Sequence, residues 1–171
     1  MERICAIFSH YRRISLTEMC LQKLAQQTVP PHRVVVADNG AGDGSLDGVK
    51  EQAAAGAYPF MLEIIDMPGN TGNAGGIARG LERAFSFPDV DAVWILDDDS
   101  WPEPDALACL LSHGPGTDGM EWPCVRGCKV VDLKQGGELS WPMVLLDEKD
   151  GRRIHVTRGD ALPEAPFLLT G

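Results

Sequence analysis

Val93-Trp94-Ile95-Leu96-Asp97-Asp98-Asp99-Ser100 is an apolar run that ends abruptly in three adjacent carboxylates. The run reads as a buried strand, which puts the aspartates at its C-terminal edge, where open α/β sheets bind their ligands. A strand that stays extended through Asp99 alternates its side chains. Asp97 and Asp99 then point to one side, roughly 6.6 Å apart along the backbone, and Asp98 points to the other. Two like charges at that separation repel by about 2.5 kcal/mol at an effective dielectric of ~20, so such an edge persists most easily when a cation bridges it. Hard carboxylate oxygens suit Mg²⁺ or Mn²⁺, with diphosphate oxygens and water completing the shell. The same residues also fit an acidic turn in which Asp99 or Ser100 caps a helix starting at Pro102-Glu103-Pro104.

Outward from this stretch, strand-like and helix-like segments alternate. Strands are expected over residues 4–9, 33–38, 61–67 and 92–97, and helices over 16–27, 45–56, 73–87 and 104–112. The first helix carries Leu16, Met19, Cys20, Leu21 and Leu24 at helical spacing. This βαβα order predicts an α/β fold, a mostly parallel sheet with helices on both faces. After residue 114 the character changes to short β-like pieces, with Gly136-Gly137 and Asp150-Gly151 as turn signals, which predicts a small β annex.

A chain of 171 residues is long enough for one full-sized core. The formal charge of -10, with no block of lysine or arginine, argues against a nucleic-acid groove. Any phosphate must therefore be held by backbone N–H groups, single arginines or a metal. Five scattered cysteines suit reduced thiols in a cytoplasmic protein. Cys124-Val125-Arg126-Gly127-Cys128 has no second pair at zinc-ligand spacing. The apolar run after Met1-Glu2-Arg3 ends by Ser9, too short for a signal peptide or a membrane span.

Two further loops fall at strand ends. Asp38 closes Val34-Val35-Val36-Ala37-Asp38 and is followed by Gly40, Gly42 and Gly44. Its carboxylate can accept hydrogen bonds from a nucleotide base or ribose, or form an Asx-turn with its own backbone. The second loop is Asn70-Thr71-Gly72-Asn73-Ala74-Gly75-Gly76-Ile77-Ala78-Arg79-Gly80. Its glycines permit close approach of a ligand, the helix start presents unpaired N–H groups, and Arg79 adds positive charge. Neither loop has dinucleotide-fingerprint spacing, and no Walker-type Gly-Lys-Ser/Thr occurs.

In this order, residues 4–11, Val36-Ala37-Asp38-Asn39-Gly40, the Asn70 to Gly80 loop, and Leu96-Asp97-Asp98-Asp99 with Glu103-Pro104-Asp105 resemble the family 2 glycosyltransferases. The Gly75-Gly76 loop is most similar to the branch of rhamnosyltransferases and galactofuranosyltransferases. The resemblance implies a GT-A (Rossmann-like) fold and inverting, metal-dependent transfer of a sugar such as rhamnose or galactofuranose. The donor would be a UDP- or dTDP-linked sugar and the acceptor a glycan or a lipid-linked molecule. It also implies nucleotide-sugar contacts from Ser9, Tyr11, Asp38, Asn70, Gly72, Gly75, Gly76, Arg79, Asp97 and Asp98, and Mn²⁺ or Mg²⁺ held by Asp97 and Asp99. Placement is expected in the cytoplasm, at the inner face of the membrane for an intact form with peripheral association. His10 and Arg12 depart from the more usual asparagine-containing sequence of the first loop.

The resemblance puts the acceptor-activating carboxylate on a helix that follows the strand resembling Pro166-Phe167-Leu168-Leu169-Thr170-Gly171. The general base is thus expected beyond Gly171, since Asp160 and Glu164 lie too early to match it. On this reading residues 1–171 form a single donor-binding domain, truncated at its C-terminus. A non-catalytic nucleotide-sugar-binding module or pseudoenzyme is the alternative that the missing base favours. A sugar-nucleotide pyrophosphorylase would need a glycine- and lysine-bearing phosphate loop after the first strand, which residues 9–14 lack.

Overall fold

The computed structural model describes residues 2–112, 130–132, 138–146 and 153–158. The chain divides into two compact units, Met1–Cys124 and Val125–Gly171. The Cys124 and Cys128 pair, the turn signals at 136–137 and 150–151, Asp160, Glu164 and residues 166–171 lie outside the described residues.

The first unit runs β1 (Ile4–His10), α1 (Ile14–Ala25), β2 (Arg33–Asp38), α2 (Asp47–Ala54), β3 (Met61–Asp66), α3 (Gly72–Phe85), β4 (Ala92–Ile95) and α4 (Ala106–Ser112). All four strands are parallel, in the order β3-β2-β1-β4. β1 is central, and every one of its residues is buried. Its side chains alternate as an extended strand requires. Ile4, Ala6 and Phe8 join Val34, Val36, Leu21, Leu24, Val49 and Leu107 in one apolar cluster, which takes in α1, α2 and α4. Cys5 and Ile7 join Val35 and Ala84 in the other, beneath Ile77 and Leu81 of α3. Near-continuous apolar strands are what a sheet covered on both faces needs. Burial holds the Cys5 and Cys20 thiols protonated, pushed up to about 11 and about 12.

α3 lies close to the sheet because small residues face it. A Cβ on Gly80 would stand 3.4 Å from Ile7, and one on Gly76 would stand 2.5 Å from the Ser9 hydroxyl oxygen. Gly76→Ala therefore overpacks a backbone-to-strand contact and should cost about 1–3 kcal/mol. A lowered urea midpoint with an unchanged slope is the expected result, and an unaltered midpoint would show that the helix can shift freely.

The second unit holds an antiparallel sheet of β5 (Val131–Asp132), β6 (Glu138–Leu146) and β7 (Arg153–Arg158), in the order β5-β6-β7. This is the expected β annex. Among the described residues no helix is long and apolar enough to cross a membrane.

Candidate functional site

The sheet grows from β1 through β2 to β3 and then returns to place β4 on the other side of β1. At such a reversal the connections diverge to opposite faces and leave a crevice at the carboxyl ends of the strands. The loop after β1, the start of α3 and the triple aspartate after β4 are linked at this point by side-chain hydrogen bonds.

β4 pairs with β1 only from Ile4↔Ala92 to Ile7↔Ile95. Beyond it the Ser100 N–H donates to the Asp97 carbonyl at 3.2 Å and closes a turn. The strand therefore does not stay extended through Asp99, as the simple alternation required, because its pairing with β1 has ended. The sidedness still follows the expectation: Asp98 is 2% exposed, while Asp97 and Asp99 face solvent.

Arg13, which the motif reading passed over, grips this turn. Its Nη2 donates to Asp98 Oδ1 at 2.5 Å and its Nη1 to Asp99 Oδ2 at 3.0 Å. A cation does bridge the acidic edge, and it is a guanidinium, whose planar fork suits two neighbouring carboxylates. Burial pushes the Asp98 carboxyl above its usual range and the Arg13 charge opposes it. Asp98 Oδ2 is buried and has no hydrogen-bond partner among the described residues. On the other side Asn73, in the first turn of α3, donates from Nδ2 to Asp97 Oδ1 at 3.0 Å.

The aspartates do not cap the next helix. That role falls to Gln27, whose Oε1 accepts from the Leu107 N–H at 3.0 Å and whose Nε2 donates to the Glu103 carbonyl at 2.7 Å. Among the described residues, Asp97 and Asp99 each engage one side-chain oxygen with a protein group and leave the other without one. Among the described residues no group of three or more His, Cys, Asp or Glu could hold a metal. Two open carboxylates do fit a hard divalent ion that takes its remaining ligands from a diphosphate and water.

The turn that delivers Arg13 is sharp. Arg12 adopts φ +56°, uncommon for a residue with a side chain, and its guanidinium lies 5.2 Å from the centroid of the Tyr11 ring. Tyr11 is 38% exposed. His10, by contrast, is fully buried, its Nδ1 2.8 Å from Thr17 Oγ1 and its Nε2 3.0 Å from Ser45 Oγ. Burial pushes its pKa below the usual 6.5, so it serves as a neutral tie between α1 and the loop after β2.

Asn39 is a second residue that the motif reading did not single out. Its Nδ2 donates to Ser9 Oγ at 2.7 Å, and its Oδ1 accepts from both the N–H and the hydroxyl of Thr71 at 3.0 Å. Ser9 is thereby engaged inside the protein, where the sequence suggested a nucleotide contact. Thr71, turned to Asn39, gives α3 no side-chain cap. Apart from the Gly72 N–H, which Asn70 Oδ1 accepts at 2.9 Å, the first-turn N–H groups of α3 can face an anion.

Asp38 is 3% exposed and its Oδ1 accepts from the Gly40 N–H at 2.9 Å, the Asx-turn of the two readings. Asn70 does the same for the N–H of Gly72, which stands at φ +72°. The glycine pair after it serves packing: Gly76 lies against Ser9 and Asn39, and a Cβ on Gly75 would collide with the Thr71 side chain. Arg79 is exposed and pairs with Glu82 at 2.9 Å. At 100° per residue it lies about 120° around the helix from Asn73 and roughly 9 Å further along. Asn73, and not Arg79, is the α3 side chain that reaches Asp97.

Comparison with known proteins adds three findings. A family model described as glycosyl transferase family 2 matches residues 5–128. The galactofuranosyltransferase GlfT1 of Mycobacterium tuberculosis is 34% identical over 113 residues, which is 65% of this chain and 35% of that protein. The chain thus spans about a third of the length of this curated relative. Crystal structures of S. aureus TarS 1-349 share the fold. The complex with UDP-GlcNAc has TM-score 0.54 and 20% identity, covering 64% of this chain and 30% of that one. The structure of TarS 1-349 also has TM-score 0.54, with 17% identity, covering 91% and 47%.

Proposed function

Because the chain belongs to glycosyl transferase family 2, we propose that the crevice between β1 and β4 binds a nucleoside diphosphate sugar. The sugar is then transferred, with inversion at the anomeric carbon, to a glycan or lipid-linked acceptor. The observation that carries this reading is the meeting of two open carboxylates, Asp97 and Asp99, with the first turn of α3, where Thr71 provides no side-chain cap, at the reversal of the sheet. The carboxylates are the residues that would hold Mn²⁺ or Mg²⁺, whose charge offsets that of the departing diphosphate. The N–H groups of α3 hold the same anion from the other side.

The nucleoside end lies toward β2. Asp38, whose Oδ1 is engaged by Gly40, offers its second oxygen to the ribose or base, and the exposed Tyr11 ring packs against the base. Asn39 and Arg13 position these groups and do not contact the nucleotide. The 34% identity to a galactofuranosyltransferase supports galactofuranose as the sugar, with rhamnose as the related choice, on UDP or dTDP.

A thermal-shift panel of UDP, dTDP, GDP and their sugars, with and without Mn²⁺, tests the reading. A ligand at ~100 times its dissociation constant stabilises by about 2.7 kcal/mol, which for a domain of this size raises Tm by roughly 5–10 °C. At least one uridine or thymidine compound should do so, and only with the metal. A flat panel would overturn the proposal.

A further inference from the structure

We propose that Trp101 is the platform on which the sugar ring of the nucleotide sugar stacks; this rests on the reading of the crevice given above. Trp101 is 46% exposed, a large apolar surface left to solvent. Among the described residues its ring has no aromatic or cationic partner, and its indole N–H makes no hydrogen bond.

Its place in the fold supplies the direction. Along the carboxyl edge the order is Asp38 on β2, the Ser9 to Arg13 segment on β1, then Asp97 and Asp99 after β4. β2 and β4 are two strand spacings apart, about 10 Å. A ligand with its nucleoside at Asp38 and its diphosphate at Asp97 and Asp99 therefore continues beyond β4. Trp101 follows Asp99 by two residues, a backbone reach of at most ~7 Å.

The loop that carries Trp101 is also held on both sides. The turn bond from the Ser100 N–H to Asp97 precedes it. Pro102 and Pro104 restrict φ after it, the Glu103 carbonyl accepts from Gln27, and the Pro104 carbonyl accepts from the Thr28 N–H at 2.8 Å. An exposed aromatic on a braced loop presents its face with little ordering cost on binding. Sugar rings offer apolar C–H faces bordered by hydroxyls, and indole answers with a flat apolar face and one N–H donor.

Calorimetric titration in Mn²⁺ of the full chain and of Trp101→Ala and Trp101→Phe decides the matter, using UDP against UDP-galactofuranose and dTDP against dTDP-rhamnose. The expected result is that Trp101→Ala weakens the sugar nucleotide about five- to tenfold relative to the bare diphosphate. Trp101→Phe should recover most of that loss. Equal weakening of diphosphate and sugar nucleotide, or no weakening of either, would overturn the proposal. Failure of the unaltered chain to bind any bare diphosphate would instead remove the nucleotide reading, and this inference with it.

Discussion

Asp99→Asn should abolish the metal-dependent binding of a nucleoside diphosphate while the fold stays intact. The amide removes one anionic oxygen that the ion needs and relieves part of the repulsion among Asp97, Asp98 and Asp99. Loss of even an outer partner of a metal ligand costs 10- to 100-fold, so loss of the ligand itself should cost about 100-fold or more. Stability should change little, because Asp99 is half-exposed and its pair with Arg13 meets solvent; such pairs contribute about 0–1 kcal/mol. Calorimetry with UDP and Mn²⁺, beside a urea melt, separates the two effects. An unfolded variant, or one that binds as before, would make Asp99 a structural element of the turn.

Arg13→Met should have the largest effect on folding. It leaves Asp98, buried to 2% exposure, without its only hydrogen-bonded partner among the described residues. Breaking a buried pair from one side costs about 3–5 kcal/mol. Here the lower end applies, since the arginine is itself half-exposed and screened by solvent. Against a total stability of about 5–15 kcal/mol that is a severe loss. The dependence on pH carries a definite sign. Burial already raises the folded-state pKa of Asp98 above its ordinary 3.8, and removal of Arg13 raises it further. The folded state then binds more protons than the unfolded state between those two values, so the variant loses stability as pH rises through that window and regains it toward acid. Adding Asp98→Asn removes the charge and should restore much of the loss at neutral pH. Equal urea midpoints for Arg13→Met and the parent at pH 7 would show that Asp98 does not depend on this arginine.

The strands were legible because a sheet covered on both faces writes itself as apolar runs with fixed ends. Residues 33–38 and the helix order follow directly from that pattern, and the four motifs in sequence order point to the family without any contact. Helix ends differ by two residues where the deciding groups are distant, as with Gln27, which caps a helix 80 positions away. The same distance hid Arg13 and Asn39, since a pair such as Arg13 and Asp98 leaves no local signal. Glycine was ambiguous in another way. Gly75 and Gly76 read as room for a ligand, but the room is filled by Thr71 and Ser9. For Asp38 both readings were available from sequence, and the Asx-turn is the one that formed, through Oδ1 alone.

We propose that the open oxygens of Asp97 and Asp99, at the reversal between β1 and β4, hold the metal and the diphosphate together. Paramagnetic broadening of backbone amide signals by substoichiometric Mn²⁺, recorded with and without UDP or dTDP, tests it most directly. Broadening should centre on residues 96–101, Arg13 and Asn73, and sharpen to that region when the diphosphate is added. Broadening centred on the other acidic loop, Asp43 to Asp47, or a pattern indifferent to the diphosphate, would contradict it.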